Sequence, residues 1–273
     1  MNKKLIFIIP ISLAGIIGIY LIIKNIPHKT SKAAPNVASA RQLFDLARVQ
    51  ETDNELLLAK ATYRDIINNY PNYPQVQDVQ KKIEDLNMKI ILSPTLITPN
   101  SSLYEVKPGD SLIKIAKEFN TTVELITKIN MLKSGMIRPK MKLKVWTGKF
   151  SVLVDKSQNI LMLKSDGEII KTYTVSTGKN NSTPVGTFKI KDKIINPPWF
   201  KPGHLEPIPA GNPENILGTR WMGFDLPSYG IHGTTEPQTL GQQITDGCVR
   251  MKNEEVEELF SLLPPDTEAV IID

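Results

Sequence analysis

The chain has 273 residues, of which 41% are hydrophobic and 22% are charged, and its net charge is +5. That length allows one or two domains of ordinary size, or more if they are small. The mild positive charge suits an anionic membrane surface or an anionic wall polymer, but no Lys/Arg run is long enough to favour nucleic acid, which we exclude as a partner.

An apolar segment is the first predicted element of the chain. It covers residues 5–23, and as a helix it would be about 28 Å long, enough to cross the hydrocarbon core of a membrane. Lys24 follows at once, without a small-residue cleavage site close behind it, which favours an uncleaved signal anchor over a cleaved signal peptide. Residues 1–32 are therefore predicted to form a single-pass membrane anchor with its flank. Lysines lie at both ends, so the positive-inside rule leaves the orientation open.

Residues 39–91 have a helical pattern of apolar residues with a polar outer face. Ala59, Tyr63 and Ile66, followed by Pro71, resemble one tetratricopeptide-like helix pair, and residues 76–88 predict a closing helix. A single repeat forms no solenoid, because stacking needs neighbours. We expect an α-helical hairpin that serves as a spacer or dimerisation element, with a protein partner as the alternative. Residues 92–103, rich in Ser, Pro and Thr, are predicted to be a linker.

Residues 104–146 follow the pattern strand, helix, helix, strand. Asp110 is the predicted N-cap of the first helix, and Thr121 with Glu124 is a predicted capping box for the second. This segment resembles a LysM module, which implies a βααβ fold that binds glycans containing N-acetylglucosamine. It departs from the family pattern at Lys140, where glycine is usual. A spacer role is the alternative to glycan binding.

Beyond residue 148 the hydrophobic period changes to two, which predicts strands. Asp166-Gly167 is typical of a tight hairpin, and a helix is expected from Asn253, which we interpret as its cap. Residues 148–273 are therefore predicted to form a mostly β domain with a short helix. Its expected strands cover residues 150–154, 160–163, 169–175, 188–195, 221–224, 229–232 and 268–272.

Cys248 is the only cysteine, and His232 lies sixteen positions before it. A lone cysteine is often a small buried hydrophobic residue, and its neighbours must decide between that and a nucleophile. The thiolate is the reactive form, and an imidazolium at His232 is expected to lower the thiol pKa below its usual value of about 8.5. The other two histidines, His28 and His204, lie beside the predicted anchor and in a long Pro/Gly-rich loop.

Three residues next to Cys248 complete the candidate site. Gly247 allows close approach of a substrate and is expected to leave backbone N–H groups facing a developing oxyanion. Arg250 suits either a bidentate grip on a substrate carboxylate or a structural salt bridge. Asp246 is interpreted as a turn former.

Several ordered motifs now point to one family. They are VSTGKNNSTPVGTFKI at 175–190, NPPW at 196–199, the pair His232-Gly233, and TDGCVR at 245–250. Together they resemble the L,D-transpeptidase (YkuD-like) catalytic domain from about residue 150 to the end of the sequence. The resemblance implies that Cys248 is the nucleophile and His232 the general base, with Gly233 beside it. It also implies a supporting role for Thr245 and places Arg250 near the substrate. Asp246 departs from the family, in which many members have His or Ser.

The resemblance implies an acyl transfer on peptidoglycan stem peptides, outside the cytoplasm (periplasm or cell wall). Cys248 would form a thioester with release of D-Ala, and a diamino-acid amine would then take the acyl group, giving a 3-3 cross-link or protein attachment. No metal or organic cofactor is expected. The alternatives are hydrolysis, as a carboxypeptidase or endopeptidase, and a non-catalytic wall-binding scaffold.

Overall fold

The computed structural model describes residues 37–273. The predicted anchor at residues 5–23 lies outside the described residues. Within the described part of the chain, no helix has both the length and the apolar character needed to cross a membrane. That part contains a helical hairpin, a βααβ module and a mostly β domain in the predicted order.

The helical unit consists of three helices, with a closing helix behind the predicted pair. Ala59, Tyr63 and Ile66 are fully buried, since their spacing places them on one face of the middle helix. The Tyr63 hydroxyl donates to the Glu51 carboxylate at 2.7 Å and so fixes the middle helix against the first. The helices are α1 (Val37–Thr52), α2 (Leu56–Asn69) and α3 (Val76–Leu92).

The second unit has the predicted βααβ order, and its two strands pair antiparallel. Its first strand begins within the segment 92–103 that composition marks as a linker. Both helices are short and bury one apolar face each, which forms a small core with the strands. The elements are β1 (Ser101–Glu105), α4 (Leu112–Glu118), α5 (Val123–Ile129) and β2 (Lys142–Trp146).

The caps of α4 and α5 each lie one residue later than predicted. Asp110 is not the N-cap, because its carboxylate accepts from the Lys107 N–H and the Tyr104 hydroxyl and closes the preceding turn, both at 2.8 Å. Ser111 caps α4 instead. Thr122 caps α5 by accepting from Leu125 N–H at 2.9 Å, and its neighbour Thr121 makes no capping bond.

Lys140, the departure from the LysM pattern, occupies a backbone conformation that favours glycine. Its φ is +70°, in the left-handed region where a Cβ atom costs roughly 1–2 kcal/mol. Its N–H donates to the Val106 carbonyl at 2.7 Å, which holds the turn before β2 in place. The turn therefore keeps the shape that glycine would give it.

The third unit is mostly β, with one helix. Its elements are β3 (Phe150–Asp155), β4 (Ile160–Ser165), β5 (Glu168–Thr174), β6 (Thr177–Gly178), β7 (Gly186–Ile195), β8 (Arg220–Phe224), β9 (Gly230–His232), β10 (Gln243–Thr245), β11 (Val249–Arg250), α6 (Asn253–Leu262) and β12 (Glu268–Ile272). Eight of the strands form one mixed sheet with the order β11-β9-β8-β7-β12-β3-β4-β5. The pairs β11–β9 and β12–β3 are parallel and the other pairs are antiparallel. A second small sheet pairs β6 with β10.

One hydrophobic cluster joins the three units, beside the smaller clusters of the helical unit and of the βααβ unit. Met88 and Ile91 of α3, and Leu125 and Ile129 of α5, pack in the same cluster as the sheet residues. Lys144 of β2 joins the units by a polar contact as well. Its buried ammonium group donates to the carbonyls of Ile90, Ile91 and Ser93 at 3.2, 3.4 and 2.7 Å, and so caps the C-terminal end of α3.

We predict that Lys140→Gly stabilises the protein by up to about 1 kcal/mol. The substitution removes the left-handed strain at this position, and the greater freedom of glycine in the unfolded chain offsets part of the gain. Urea unfolding measures the change. Lys142→Gly, on an exposed position of β2 without a positive φ, is the matched control and should destabilise. Equal losses for both variants would contradict the argument.

Candidate active site

The parallel pairing of β9 with β11 brings the two residues of the candidate pair together. Arg250 lies opposite His232 in this register, and Val249 lies opposite Ile231. Because side chains alternate along a strand, Cys248 just before β11 faces the same side as Arg250, and therefore the same side as His232. The fifteen residues between His232 and Cys248 form the loop, the 3-10 turn and β10 that border the site.

His232 and Cys248 both line one cavity of about 340 Å³. The long loop after β7 closes one side of it with aromatic and apolar residues, and the segment before Cys248 closes the other. No function was predicted from the sequence for the loop after β7. The lining residues are Trp199, Phe200, Pro202, Ile216, Leu217, Ser228, Tyr229, His232, Ile244, Thr245, Asp246, Cys248 and Arg250.

One hydrogen bond determines which ring nitrogen of His232 carries the proton. Nδ1 lies 2.7 Å from the Gly233 carbonyl oxygen. A carbonyl only accepts, so Nδ1 must carry the hydrogen, and Nε2 of the neutral ring then has a free lone pair. The Trp221 ring stacks on the imidazole, with centroids 5.9 Å apart and planes at 23°, which fixes the orientation of the ring.

Burial lowers the pKa of His232 to about 4. The positive charge of Arg250 acts in the same direction, whereas the backbone of Gly233 and of Leu217 favours the charged form. His232 is therefore a neutral imidazole at pH 7, with the lone pair of a base available.

Burial also raises the pKa of the Cys248 thiol, to about 11. The nearby Asp246 carboxylate raises the pKa further, and a hydrogen bond from the Gly230 backbone opposes it. In the neutral form the thiol donates to the Ser228 carbonyl at 3.4 Å. The expected lowering of the thiol pKa by an imidazolium is thus reversed in direction, because His232 is buried and Cys248 is partly buried, and burial disfavours both charged forms.

The loop before the nucleophile is shaped by Thr245 and Gly247. The Thr245 hydroxyl donates to the Cys248 carbonyl at 2.7 Å and accepts from the Gly247 N–H at 3.2 Å. Gly247 has a φ of +131°, and a Cβ atom there would lie 2.6 Å from the ring of Tyr229. Glycine is therefore required at this position. Its N–H donates to Thr245 and so does not face the cavity, contrary to the prediction.

Arg250 is buried, and its guanidinium group already has partners within the protein. It donates to the Thr239 hydroxyl at 2.7 Å and to the Glu236 carboxylate at 3.4 Å. The structural ion pair is therefore present, while Arg250 also lines the cavity, and its grip on a substrate carboxylate stays a prediction. These contacts tie the turn at Pro237–Thr239 to β11.

Asn253 is a residue of the site that sequence reasoning misassigned. It is the first residue of α6, with Lys252 at the cap position. Its side-chain oxygen accepts from the Thr219 and Thr234 N–H groups at 3.2 and 3.1 Å, and its amide donates to the Thr234 carbonyl at 2.9 Å. Asn253 therefore holds the backbone of Thr234, two residues after His232, in place.

Two glycines provide the space that the Asn253 side chain needs. A Cβ atom at Gly218 or Gly233 would lie 2.2 or 2.1 Å from its oxygen. Such close contacts exclude any side chain at either glycine while Asn253 keeps its place.

The chain matches two protein families. The model of the L,D-transpeptidase catalytic domain matches residues 149–272, and that of the LysM domain matches residues 104–146. Among solved structures, the catalytic domain of the Enterococcus faecium L,D-transpeptidase is 20% identical with a TM-score of 0.38, and the match covers 45% of this chain and 97% of that one. An L,D-transpeptidase from Mycobacterium smegmatis is 13% identical with a TM-score of 0.40, and the match covers 49% of this chain and 64% of that one.

Two relatives extend the match over most of their own lengths. YqjB of Bacillus subtilis, named as an L,D-transpeptidase, is 39% identical over 128 residues, which cover 45% of this chain and 70% of that protein. YkuD of Bacillus licheniformis, named likewise, is 30% identical over 177 residues, which cover 62% of this chain and 98% of that protein. The chain therefore belongs to the L,D-transpeptidase family, with a LysM domain directly before its catalytic domain.

Proposed function

We propose that the chain catalyses acyl transfer on peptidoglycan stem peptides, with Cys248 as nucleophile and His232 as general base. The observation that carries the proposal is that a thiol and a neutral imidazole, with its Nδ1 proton held by the Gly233 carbonyl, line one cavity. The Nε2 lone pair is then available to take the thiol proton. The motifs at 232–233 and 245–250, which resemble those of the L,D-transpeptidase family, support the assignment.

The first step forms a thioester. His232 takes the proton from Cys248 while the sulfur attacks the carbonyl that joins the third residue of the stem to the terminal D-Ala. The C–N bond then breaks, and His232 returns the proton to the departing amine. A neutral His232 and a neutral Cys248 fit this order of steps, because the proton is transferred while the sulfur attacks and not before.

Three neighbours of the pair have supporting roles in this mechanism. The Gly233 carbonyl keeps His232 in the useful tautomer. Thr245 holds the Cys248 carbonyl and the Gly247 N–H, which leaves the Cys248 N–H as the candidate donor to the oxyanion. Arg250 positions the turn at Pro237–Thr239, and its charge adds to the larger effect of burial in lowering the pKa of His232.

The second step passes the acyl group to an amine, and the acceptor decides the biological outcome. A diamino-acid amine of another stem gives a 3-3 cross-link, an amine of a protein gives attachment, and water gives carboxypeptidase or endopeptidase activity. The LysM domain is proposed to bind the glycan strand, and this pairing of modules supports a place outside the cytoplasm. The helical hairpin is proposed as a spacer packed on the catalytic domain, through contacts such as Asn87 to the Ile170 carbonyl at 2.9 Å.

Muropeptide analysis tests the proposed function. We expect that incubation of the full chain with purified peptidoglycan yields 3-3 cross-linked dimers, detected by mass spectrometry, with release of D-Ala. Cys248→Ala should yield neither product, although its fold should be unchanged because the thiol lies in a cavity wall. Tripeptides without dimers would favour hydrolysis, and unchanged muropeptides would refute both activities.

The pH dependence of Cys248 alkylation tests the neutral pair. Iodoacetamide should react slowly at pH 7 and faster as the pH rises toward about 11, since burial keeps the thiol protonated below its pKa. His232→Ala should leave this profile nearly unchanged, because a neutral imidazole stabilises no thiolate, yet it should abolish acyl transfer. The unfolded chain is the control, with a midpoint at about 8.5. A wild-type midpoint below that value, moved upward by His232→Ala, would restore the ion-pair mechanism.

Asn253→Ala tests whether this side chain positions His232. The substitution frees the backbone around Thr234, and we expect kcat to fall about tenfold or more with little change in KM, since a small misplacement of a base slows the chemical step. Asn130→Ala is the matched control, because Asn130 also makes three side-chain hydrogen bonds to backbone, far from the cavity. Both variants should lose similar stability, and only Asn253→Ala should lose turnover. Equal kcat values for the two would make Asn253 merely structural.

A further inference from the structure

The positive charge of the chain is unevenly distributed between its domains. Residues 104–146, the LysM domain, contain nine Lys or Arg and four Asp or Glu, which gives a net charge of +5. Residues 147–273, which hold the catalytic domain, contain twelve Lys or Arg and sixteen Asp or Glu, which gives a net charge of −4. The LysM domain therefore attracts anions, whereas the larger domain beside it repels them.

The basic side chains of the LysM domain are not neutralised by the rest of the protein. Eight of the nine are exposed, and Lys144 alone is buried. Of the ion pairs formed within residues 37–273, none includes a residue of this domain. In the catalytic domain, by contrast, seven of the twelve basic residues are paired with a carboxylate. The excess positive charge of the LysM domain is thus left for a ligand to neutralise.

Three of the exposed lysines lie together on the outer face of the β1–β2 ribbon. The register of the two strands ends with Glu105 opposite Lys142. One step further, the Lys140 N–H donates to the Val106 carbonyl at 2.7 Å, which places Lys140 beside Lys107. Because side chains alternate along a strand, Lys107 and Lys140 continue the exposed face that Glu105 and Lys142 begin.

Arg138 adds a fourth cation next to this face. The Met141 N–H donates to the Arg138 carbonyl at 3.1 Å and closes the turn that carries Lys140. Glu105 is the exposed carboxylate on the same face of the ribbon, so the face stays positive. The four cations form what we term the basic edge, which consists of Lys107, Arg138, Lys140 and Lys142.

Lys140 is held in an unfavourable backbone conformation without an evident structural reason. Its φ of +70° lies in the left-handed region that favours glycine. The bond that its N–H makes to Val106 is a backbone bond, which glycine would make equally well. Its exposed ammonium group has no hydrogen-bond or ion-pair partner in the described part of the chain. A lysine at a strained position with no contact inside the protein indicates a contact outside it.

We propose that the basic edge binds an extended anionic polymer that carries a phosphodiester group in each repeat. Lysines bind phosphate oxygens as compact point charges, and the guanidinium group of Arg138 offers a bidentate grip on a phosphate. A polymer contacts several cations of the edge at once and releases its bound counterions, which favours binding. The edge has no aromatic side chain on which a base could stack, which favours a polyol phosphate chain over a nucleic acid.

An anionic membrane is the other source of phosphate groups for such a surface. Elements that lie on a membrane carry a broad apolar face beside their cations. On this face of the ribbon, Leu103 is the exposed large apolar side chain, and the exposed Ile113 and Met131 belong to α4 and to the residue after the turn that ends α5. A polymer therefore fits the basic edge better than a lipid surface. No residue of the edge lines the catalytic cavity, so this inference does not rest on the proposed acyl transfer.

Salt-dependent binding of a defined polymer tests the basic edge. The probe is fluorescently labelled poly(glycerol phosphate), and its Kd for the full chain is measured by anisotropy at increasing NaCl. The triple variant Lys107→Gln, Lys140→Gln, Lys142→Gln should raise Kd about tenfold or more at about 50 mM NaCl. The slope of log Kd against log [NaCl] should fall by about one for each phosphate contact that is lost. Lys140→Gly should also weaken binding, although it stabilises the fold.

The matched control removes the same charge from exposed lysines outside the LysM domain, by Lys81→Gln, Lys149→Gln, Lys189→Gln. None of these three lysines is in an ion pair of the described residues, and this variant should change Kd less than about threefold. Equal weakening by the two triple variants would show that net charge alone attracts the polymer, and would overturn the basic edge.

Two further measurements separate this inference from its neighbours. Vesicles that contain phosphatidylglycerol are the membrane probe, and a basic-edge variant that loses vesicle binding while its Kd for the polymer is unchanged would overturn the proposal in favour of a lipid surface. Release of D-Ala from a soluble stem tetrapeptide should stay at the wild-type rate in both triple variants, because none of their residues lines the cavity. A wild type that binds the polymer through the edge but releases no D-Ala would refute the proposed function and support this inference.

Discussion

The pairing of β11 with β9 is the contact on which the candidate active site depends. β11 has two residues, yet it is held from both sides. The Met251 N–H donates to the His232 carbonyl at 3.0 Å, and Arg250 exchanges two backbone hydrogen bonds with Ser176, at 2.9 and 2.7 Å. The short segment after Cys248 is thereby fixed between the histidine strand and the Ser176 segment. The position of the sulfur follows from main-chain bonds that do not depend on the side chains of the site.

Burial of that pair determines its chemistry. The same loss of water lowers the pKa of His232 and raises that of Cys248, so the resting site holds two neutral groups. A neutral imidazole is useful only if its lone pair is on the correct nitrogen, and the Gly233 carbonyl ensures this. The position of that carbonyl depends in turn on Asn253, which holds the next residue, Thr234, by two hydrogen bonds. Asn253, at the start of α6, therefore helps to hold the imidazole of His232 in place through the backbone of Gly233 and Thr234.

The sequence predicted the long elements well because each carries a local pattern. Residues 268–272 form a strand with the predicted bounds, and Asp166-Gly167 forms the predicted hairpin with φ of +48° and +85°. The strands β6, β10 and β11 were missed because two or three residues are too short to show a period. The N-caps of α4 and α5 lie one residue after the predicted positions. Asp110 and Ser111 are both favourable N-cap residues, and the contacts of Asp110 with the preceding turn leave Ser111 as the cap.

The same distinction applies to the candidate site, where residues recognisable by their type were predicted and a residue that acts through backbone contacts was not. Cys248 and His232 were identifiable because their residue types are rare in this chain and carry the chemistry. Asn253 was misassigned because its partners, Thr219 and Thr234, are distant in sequence and bond through backbone atoms, which leave no mark on residue type. The predicted shift of the Cys248 thiol pKa was wrong in direction for a related reason. A lone imidazole beside a thiol suggests an ion pair, and the degree of burial that prevents it is a property of the whole fold.

The shared core changes how the modules of this chain can be interpreted. Composition suggests separate units joined by linkers. In the structure, however, α3 and α5 both contribute apolar residues to the core of the catalytic sheet. The Lys144 ammonium group of β2 also donates to carbonyls at the end of α3. Removal of the LysM domain would take Leu125, Ile129 and Trp146 out of the common core and would leave the end of α3 without its cap. A loss of activity on such a deletion would then report lost packing as much as lost glycan binding. The proposed glycan binding must therefore be tested apart from packing, by substitutions on the exposed surface of that domain, where residues such as Ile113 and Met131 contribute nothing to the common core.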